Sequence, residues 1–273
     1  MADSCTTTSP DSAESPPSIE LMGCRFHIVT EDEANAHVIG SLEQGRGGWV
    51  HTVNLDILRL LVTDSDFRET CSGVDLSVAD GMPPVWASKL QGTPLPERVA
   101  GSSMVTTLTG EAAKAGRSVY FLGGNPGAAE AAIEVLKEKF PELEVAGVEC
   151  PDFGFEKDEE GMKAMSKRLA NSGADIVYIA LGVPKQEKLI AELRNVLPKA
   201  WWIGIGISFS YVSGDVKRAP ALIRSLGLEW VYRMAQEPKR LVQRYLVEDL
   251  PFAGRLFASA LAARVSGNSG GGC

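Results

Sequence analysis

The sequence is poor in the residues that mark several classes of protein. It has three histidines and five cysteines among 273 residues, and the cysteines show no C-x-x-C or Cys/His spacing. An odd number of scattered cysteines argues against a disulfide framework. No apolar run approaches about 18 residues, and no charged-then-apolar leader opens the chain. We therefore expect a cytoplasmic protein that neither crosses a membrane nor is exported.

Two further motifs are missing. No strand pattern is followed by G-x-G-x-x-G with an acidic residue about 20 positions later, which disfavours a dinucleotide-dependent oxidoreductase. There is also no recognisable nucleic-acid-binding motif, and the chain carries a net charge of −8. Nucleic acid is therefore not an expected partner.

What the chain does contain is an alternation of strand and helix patterns. Predicted strands lie at 25–29, 49–55, 75–81, 118–124, 144–148, 174–181 and 200–207, with a helix predicted at 128–140. Alternation of this kind predicts an α/β fold, with a mostly parallel sheet and helices on both faces. Residues 1–20 are rich in Ser, Thr and Pro and are expected to be disordered, as is the tail at 265–273. The α/β domain is placed at 21–215.

Polar and small residues collect where the predicted strands end. Thr52 and Asn54 close one strand and Asp80 closes the next. The run Phe121-Leu-Gly-Gly124 ends a third strand, and its glycines Gly123 and Gly124 would let a ligand approach the backbone. Because the carboxyl ends of parallel strands lie at one edge of a sheet, these residues predict a ligand site there.

The segment Leu181-Gly-Val-Pro-Lys-Gln-Glu187 predicts a second ligand-binding turn. It follows a near-continuous apolar strand of the kind that is buried on both faces of a sheet. Pro184 suits the first turn of a helix, so the helix would open with free N–H groups and with Lys185, Gln186 and Glu187 at its mouth. The alternative is an ordinary turn with Gln186 facing solvent.

After about Asp215 the pattern becomes helical and the charge reverses. Residues 217–264 contain nine basic and four acidic residues, a net charge of +5 against −13 for the remainder. This contrast suggests that the segment 216–264 is a helical appendage that contacts an anionic membrane surface or a pyrophosphate group, although solvated helix faces explain most charge runs.

An ordered set of motifs closely resembles the WecG/TagA/CpsF glycosyltransferases, glycosyltransferase family 26, over about residues 25–255. The motifs are Asp80-Gly81, Glu97-Arg-Val-Ala-Gly101, Phe121-Leu-Gly-Gly124, Leu181-Gly-Val-Pro-Lys-Gln-Glu187, Gly214-x-x-x-Arg-Ala-Pro220, Gly227-Leu-Glu-Trp230, Tyr232-Arg233 and Glu237-Pro-Lys-Arg240. The resemblance implies a Rossmann-like domain with a C-terminal helical appendage. It also implies a bacterial enzyme, peripheral on the inner face of the plasma membrane, in the synthesis of cell-surface polysaccharide or teichoic acid.

The implied reaction is an inverting transfer of N-acetylmannosamine, its uronic acid or a related hexose from a UDP-sugar to an undecaprenyl-diphosphate-linked acceptor. No metal or other cofactor is expected, and homo-oligomerisation is left open. In the family the residue that matches Asp80 is the proposed base that deprotonates the acceptor hydroxyl. The alternative for Asp80 is a helix N-cap for the segment that begins near Pro83.

The resemblance also suggests how the substrates are held. Thr52, Asn54 and Gln186 would hold the nucleotide sugar, and positive groups would meet the diphosphate charge in place of a metal. The candidates for those positive groups are Arg98, Arg233, Arg240 and Arg244. The chain departs from many relatives at Ser210, where they have aspartate, and at Gln243, where they have arginine. A nucleotide-sugar oxidoreductase and a non-catalytic membrane-docking protein are the remaining alternatives.

Overall fold

The computed structural model describes residues 15–220, 223, 229–236 and 241–268. Its strands are β1 (Ser18–Leu21), β2 (Cys24–His27), β3 (Gly48–Val53), β4 (Leu76–Ala79), β5 (Ser118–Gly123), β6 (Glu144–Glu149), β7 (Ile176–Ala180) and β8 (Trp201–Gly204). Strands β3 to β8 form one parallel sheet in the order β4-β3-β8-β7-β5-β6. The predicted Rossmann-like α/β fold is confirmed.

Helices follow most of these strands. They are α1 (Glu31–Glu43), α2 (Leu55–Thr63), α3 (Ser65–Thr70), α4 (Met82–Gln91), α5 (Gly101–Lys114), α6 (Ala128–Lys139), α7 (Glu159–Ser172), α8 (Lys185–Leu193), α9 (Ser208–Ser213), α10 (Glu229–Gln236) and α11 (Leu250–Asn268). Short polar side chains start several of them: Thr30 and Glu33 form a capping box on α1, and Asp64 caps α3. Each satisfies N–H groups that a helix end would otherwise leave without partners.

Both faces of the sheet are covered by helices. Along β5, Val119 and Phe121 belong to one apolar cluster and Tyr120 and Leu122 to the other, as the two-residue period of a strand requires. Helices α1, α5, α6 and α9 supply the first cluster, and α2, α4, α7, α8 and α11 supply the second. Burial on both sides explains why the strands are almost uninterruptedly apolar.

The amino-terminal boundary differs from the expectation. Residues 1–14 lie outside the described part, but Ser18–Leu21 forms β1, which pairs antiparallel with β2 in a separate hairpin. The disorder expected up to residue 20 is therefore wrong for these last residues. Ile19 and Leu21 are buried in the core cluster, and the free energy gained by burying them offsets the conformational entropy lost when the strand is ordered.

The described residues 229–236 and 241–268 of the carboxyl-terminal part are helical, and residues 250–268 pack on the α/β domain. A π-helical stretch, Gln243–Asp249, leads into α11, which packs against α4. Phe252, Leu256 and Ala260 recur every four residues and are buried within the same core cluster as the sheet. Among the described residues, no helix is long and apolar enough to cross a membrane.

Candidate active site

The polar residues at the strand ends meet at one edge of the sheet. Val53 and Ala79 are register partners in β3 and β4. The residues that follow them, Asn54 and Asp80, therefore lie at the ends of adjacent strands. The Asp80 N–H donates to the Val53 carbonyl at 3.0 Å. The Thr52 hydroxyl donates to the Gly204 carbonyl at the end of β8, at 3.2 Å. The predicted gathering of these residues is therefore present.

The strand order also places a topological switch point at this edge. From β5 the chain passes through α6 to β6 on one side, whereas from β7 it passes through α8 to β8 on the other. Because β5 and β7 are neighbours, their connections diverge, and parallel sheets bind ligands at such a point. The glycine turn at the end of β5 and the turn before α8 lie at this switch point.

Asp80 has the properties of a base and not those of a helix cap. Gly81 holds the N-cap position of α4, with φ of +150°, and no side chain caps this helix. The N-cap alternative is therefore excluded. The pKa of Asp80 is raised to about 6, because burial and the nearby Glu229 raise it more than Arg98, the Gly101 N–H and Arg218 lower it. A carboxyl group with this pKa is ionised at neutral pH yet basic enough to accept a proton.

A carboxylate from the C-terminal segment joins the site. Glu229, the first residue of α10, accepts a hydrogen bond from Arg98 Nη1 at 2.8 Å. Its other oxygen lies 3.5 Å from Nε of Arg218. We call Arg98, Arg218 and Glu229 the arginine–carboxylate bridge. Arg218 and Glu229 lie within the motifs of the sequence, but neither role was predicted, because a motif does not reveal which distant side chain each residue contacts.

Thr52 and Asn54 are both engaged in local structure. Asn54 caps α2, its side-chain oxygen accepting from the Ile57 N–H at 3.0 Å. Thr52 is buried and uses its hydroxyl hydrogen on Gly204, so it links β3 to β8. The Thr52 oxygen can still accept a bond and the Asn54 amide can still donate one. Their contact with a nucleotide sugar stays a prediction.

The two glycines at the end of β5 are required by the backbone. Gly123 has φ of +89°, and a Cβ there would lie 2.8 Å from the Ala180 carbonyl oxygen. Gly124 has φ of +91°, and a Cβ there would lie 3.2 Å from the Phe209 ring. The Gly124 N–H donates to the Ala180 carbonyl at 2.7 Å. Glycine therefore lets the β5 turn lie directly against the end of β7.

The side chains of the α8 turn are oriented differently from the expectation. Gln186 is buried: its oxygen accepts from the Gly206 N–H at 3.0 Å and its amide donates to Glu187 at 2.9 Å. The solvent-facing alternative for Gln186 is therefore excluded, and the residue braces the turn after β8. Lys185 pairs with Glu156 at 2.7 Å and lies over the Phe153 ring.

Glu187 contacts a histidine that the sequence analysis did not select. His51 Nε2 lies 3.8 Å from Glu187 Oε1, and both side chains are buried. Burial lowers the pKa of His51 to about 4 and raises that of Glu187 to about 7. Glu187 is thus part of the interior beneath the site and does not lie at its mouth.

The candidate arginines of the C-terminal segment have different surroundings. Arg233 is half-buried on α10, where its charge opposes the burial that raises the pKa of Tyr211. Arg240 lies outside the described residues. Arg244 forms an ion pair with Asp56 at 2.8 Å and lies 3.8 Å from Asp249. Ser210 and Gln243 are both described, and Ser210 is buried with its hydroxyl near the Asn125 amide.

Arg244 belongs to a second group of charges, which we call the clasp. It consists of Asp56, Arg59, Arg244, Glu248 and Asp249. Arg59 lies 2.7 Å from both Asp56 and Glu248. Burial, with the charge of Asp56, raises the pKa of Asp249 to about 6. The clasp ties the C-terminal segment to α2.

The described residues contain no cluster of three or more His, Cys, Asp or Glu side chains that could hold a metal ion. The positive charge near Asp80 comes from the arginine–carboxylate bridge instead.

A Rossmann-like sheet with a carboxylate and arginines at its carboxyl edge is the arrangement of an α/β protein that binds its ligand at the ends of the strands. Comparison with known proteins identifies the family. Residues 19–266 match the Glycosyl transferase WecG/TagA/CpsF family, so the chain belongs to this family of glycosyltransferases.

Two relatives carry the same functional name. Both are N-acetylglucosaminyldiphosphoundecaprenol N-acetyl-beta-D-mannosaminyltransferases. The protein of Bacillus spizizenii is 35% identical over 199 residues, which are 73% of this chain and 75% of the relative. That of Bacillus subtilis strain 168 is 32% identical over the same shares.

Proposed function

We propose that this glycosyltransferase moves N-acetylmannosamine, or a closely related hexose, from a UDP-sugar to a polyprenyl-diphosphate-linked acceptor. The observation that carries the proposal is the half-buried Asp80, with its raised pKa, beside paired arginines at the carboxyl edge of the sheet. The names of the two relatives supply the acceptor class and the sugar.

The reaction proposed is a single displacement with inversion. Asp80 takes the proton from the acceptor hydroxyl as its oxygen attacks the anomeric carbon, and the bond from that carbon to the UDP oxygen breaks on the opposite face. The new glycosidic bond replaces the broken one, and UDP leaves with the bonding electrons. Asp80 then loses its proton to water.

Charge on the leaving diphosphate would be met by arginine and backbone N–H groups without a metal. Arg98 lies beside Asp80, and Arg233 and Arg240 are further candidates from the C-terminal segment. The turn at Gly123 and Gly124 would offer N–H groups close to the donor. The paired surroundings of Arg244 favour a structural part for that residue.

Attachment to the inner face of the plasma membrane follows from the acceptor, which carries a polyprenyl chain. The C-terminal segment exposes Val242, Val247 and Leu250. An apolar surface within a basic segment suits the headgroup region of an anionic bilayer. Binding should then require anionic lipid and weaken as salt rises from about 0.05 to 0.5 M.

The test is a transfer assay with the full chain, radiolabelled UDP-N-acetylmannosamine and an N-acetylglucosamine diphosphate linked to a short polyprenyl chain. We expect a labelled lipid product with inverted anomeric configuration, and equal turnover in the presence of EDTA. Strict dependence on magnesium or manganese would reject the metal-free account. Absence of transfer from any UDP-sugar, with NAD binding instead, would favour the oxidoreductase alternative.

A further inference from the structure

The arginine–carboxylate bridge has the composition of an anion site. Two guanidinium groups, Arg98 and Arg218, converge on one carboxylate, that of Glu229, at 2.8 and 3.5 Å. The bridge itself therefore carries one positive charge in excess, which the neighbouring Asp80 offsets while it is ionised. Guanidinium groups recognise phosphate with the same geometry that they use for carboxylate.

Arg218 is incompletely satisfied by this carboxylate. Its Nη2 atom is buried and has no hydrogen-bond partner within the described residues, and its buried Nε has only the 3.5 Å contact with Glu229. A buried donor without a partner is costly, and the cost is removed when an oxygen-rich anion is bound. A diphosphate has several acceptor oxygens where Glu229 has two.

A cavity of about 270 Å³ lies directly against Arg218. Its walls include Leu136 of α6 and Tyr211 and Val212 of α9, with Lys139 as a second cation. Among the described residues that line this cavity, none is acidic. A cation beside an apolar wall fits a phosphate group that is attached to a hydrocarbon chain.

We propose that Arg98 and Arg218 form a diphosphate-binding site in which the Glu229 carboxylate occupies the anion position and is displaced by the diphosphate of a substrate. The inference rests on the proposed function for its ligand class. The diphosphate could belong to the UDP-sugar or to the lipid-linked acceptor. The acceptor is favoured because Val135, Leu136 and Val212 line the cavity, beside the polar Ser102 and Thr106. Glu229 is then an internal competitor that keeps the two arginines together until substrate binds.

The experiment is calorimetric titration of the full chain with UDP and, separately, with farnesyl diphosphate. Glu229→Gln removes the competing charge, so we expect it to tighten binding of one or both ligands about tenfold. Arg218→Gln should weaken the same binding about tenfold. If the Glu229 variant does not fold, this second variant tests by itself whether Arg218 binds the diphosphate. Glu248→Gln is the matched control, since Glu248 lies in the same segment but pairs with Arg59.

Tighter binding of farnesyl diphosphate alone assigns the site to the acceptor, and tighter binding of UDP alone assigns it to the donor. Unchanged or weaker binding of both ligands by Glu229→Gln, or unchanged binding by Arg218→Gln, would overturn the inference. The proposed function is tested separately by sugar transfer with the wild-type chain. If the wild type transfers sugar but the variants bind as the wild type does, only the displacement of the Glu229 carboxylate is rejected. If the variants show the expected binding changes but the wild type transfers no sugar, only the proposed function is rejected.

Discussion

Two groups of charges join the C-terminal segment to the α/β domain, and they differ in balance. The arginine–carboxylate bridge sets two arginines against one carboxylate. The clasp sets two arginines, Arg59 and Arg244, against three carboxylates. The bridge adjoins Asp80 and an apolar cavity, whereas the clasp binds the segment to the first turn of α2.

The difference separates a site that can accept an anion from one that cannot. An incoming diphosphate would find excess positive charge at the bridge and excess negative charge at the clasp. Arginine content alone does not distinguish the two groups. Substitutions at the bridge should therefore change substrate binding and turnover, and substitutions at the clasp should change stability.

The largest effect is expected from Asp80→Asn. Loss of a general base should lower transfer about 100-fold or more while UDP still binds. In the wild type, kcat/KM should rise with pH through about 6, because Asp80 must be ionised to accept a proton. Transfer rates between pH 5 and 8, with the exposed Asp32→Asn as control, measure both effects. Near-normal turnover of Asp80→Asn would remove Asp80 from the mechanism.

The next effect compares one arginine from each group. Arg98→Gln should lower transfer about 10–100-fold, because it removes positive charge from the diphosphate and from the surroundings of Asp80. Arg244→Gln should leave transfer per folded molecule within about threefold, but should lower the melting temperature. Steady-state kinetics and thermal unfolding of both variants test this contrast. Equal loss of transfer in the two variants would show that the clasp also contacts substrate.

A smaller effect is expected for Asp56→Asn, within the clasp. The two carboxylate oxygens of Asp56 lie 2.7 and 2.8 Å from Arg59 and Arg244. Its loss should lower the free energy of unfolding by about 1–3 kcal/mol, less than for a fully buried pair because the arginines are partly solvated. Urea unfolding at pH 7 measures the change, with the exposed Asp66→Asn as reference. A difference within error would mean that apolar packing of α11 alone holds the segment.

The smallest effect is expected for Asp249→Asn, and it depends on pH. The pKa of Asp249 is raised to about 6 in the folded protein, so the native state holds a proton that the unfolded chain has lost between about pH 4 and 6. The free energy of unfolding of the wild type therefore falls as pH rises through this window. The Asn variant cannot lose a proton here, so its free energy of unfolding does not fall for this reason. A shift of about two pKa units corresponds to about 3 kcal/mol, and we expect the variant to be more stable at pH 8 by only about 1 kcal/mol, because this group of charges is partly solvated.

Thermal unfolding at pH 8 and pH 4.5 tests this last prediction, since the difference between the two proteins should be smaller at the lower pH. Lower stability of Asp249→Asn at pH 8 would mean that attraction to Arg59 and Arg244 exceeds the cost of burying the Asp249 charge.

The strands, the parallel sheet and the convergence of Thr52, Asn54 and Asp80 were predictable, because they follow from local apolar patterns and from the polarity of a parallel sheet. The hairpin at Ser18 was missed because its two buried side chains are too few to form a pattern. The inward orientation of Gln186 was missed for a different reason. A position in the first turn of a helix does not show which face of the helix packs on the sheet.

The charge reversal after Asp215 was visible in the sequence, but its meaning was not. Arg218, Arg233 and Arg244 are equivalent in a count of charges. Only the tertiary structure decides that Arg218 faces Glu229 and Arg98 while Arg244 faces Asp56 and Asp249.

The sequence by itself thus determined the α/β architecture, the edge of the sheet that carries Asp80 and the glycine turn after β5. These properties depend on residues that are neighbours along the chain. The tertiary structure decided how Arg98 meets Glu229 across 131 positions and how the Asp80 carboxyl comes to be half-buried. Electrostatic partners and burial depend on the distance between side chains in space, and that distance is set by how the whole chain packs.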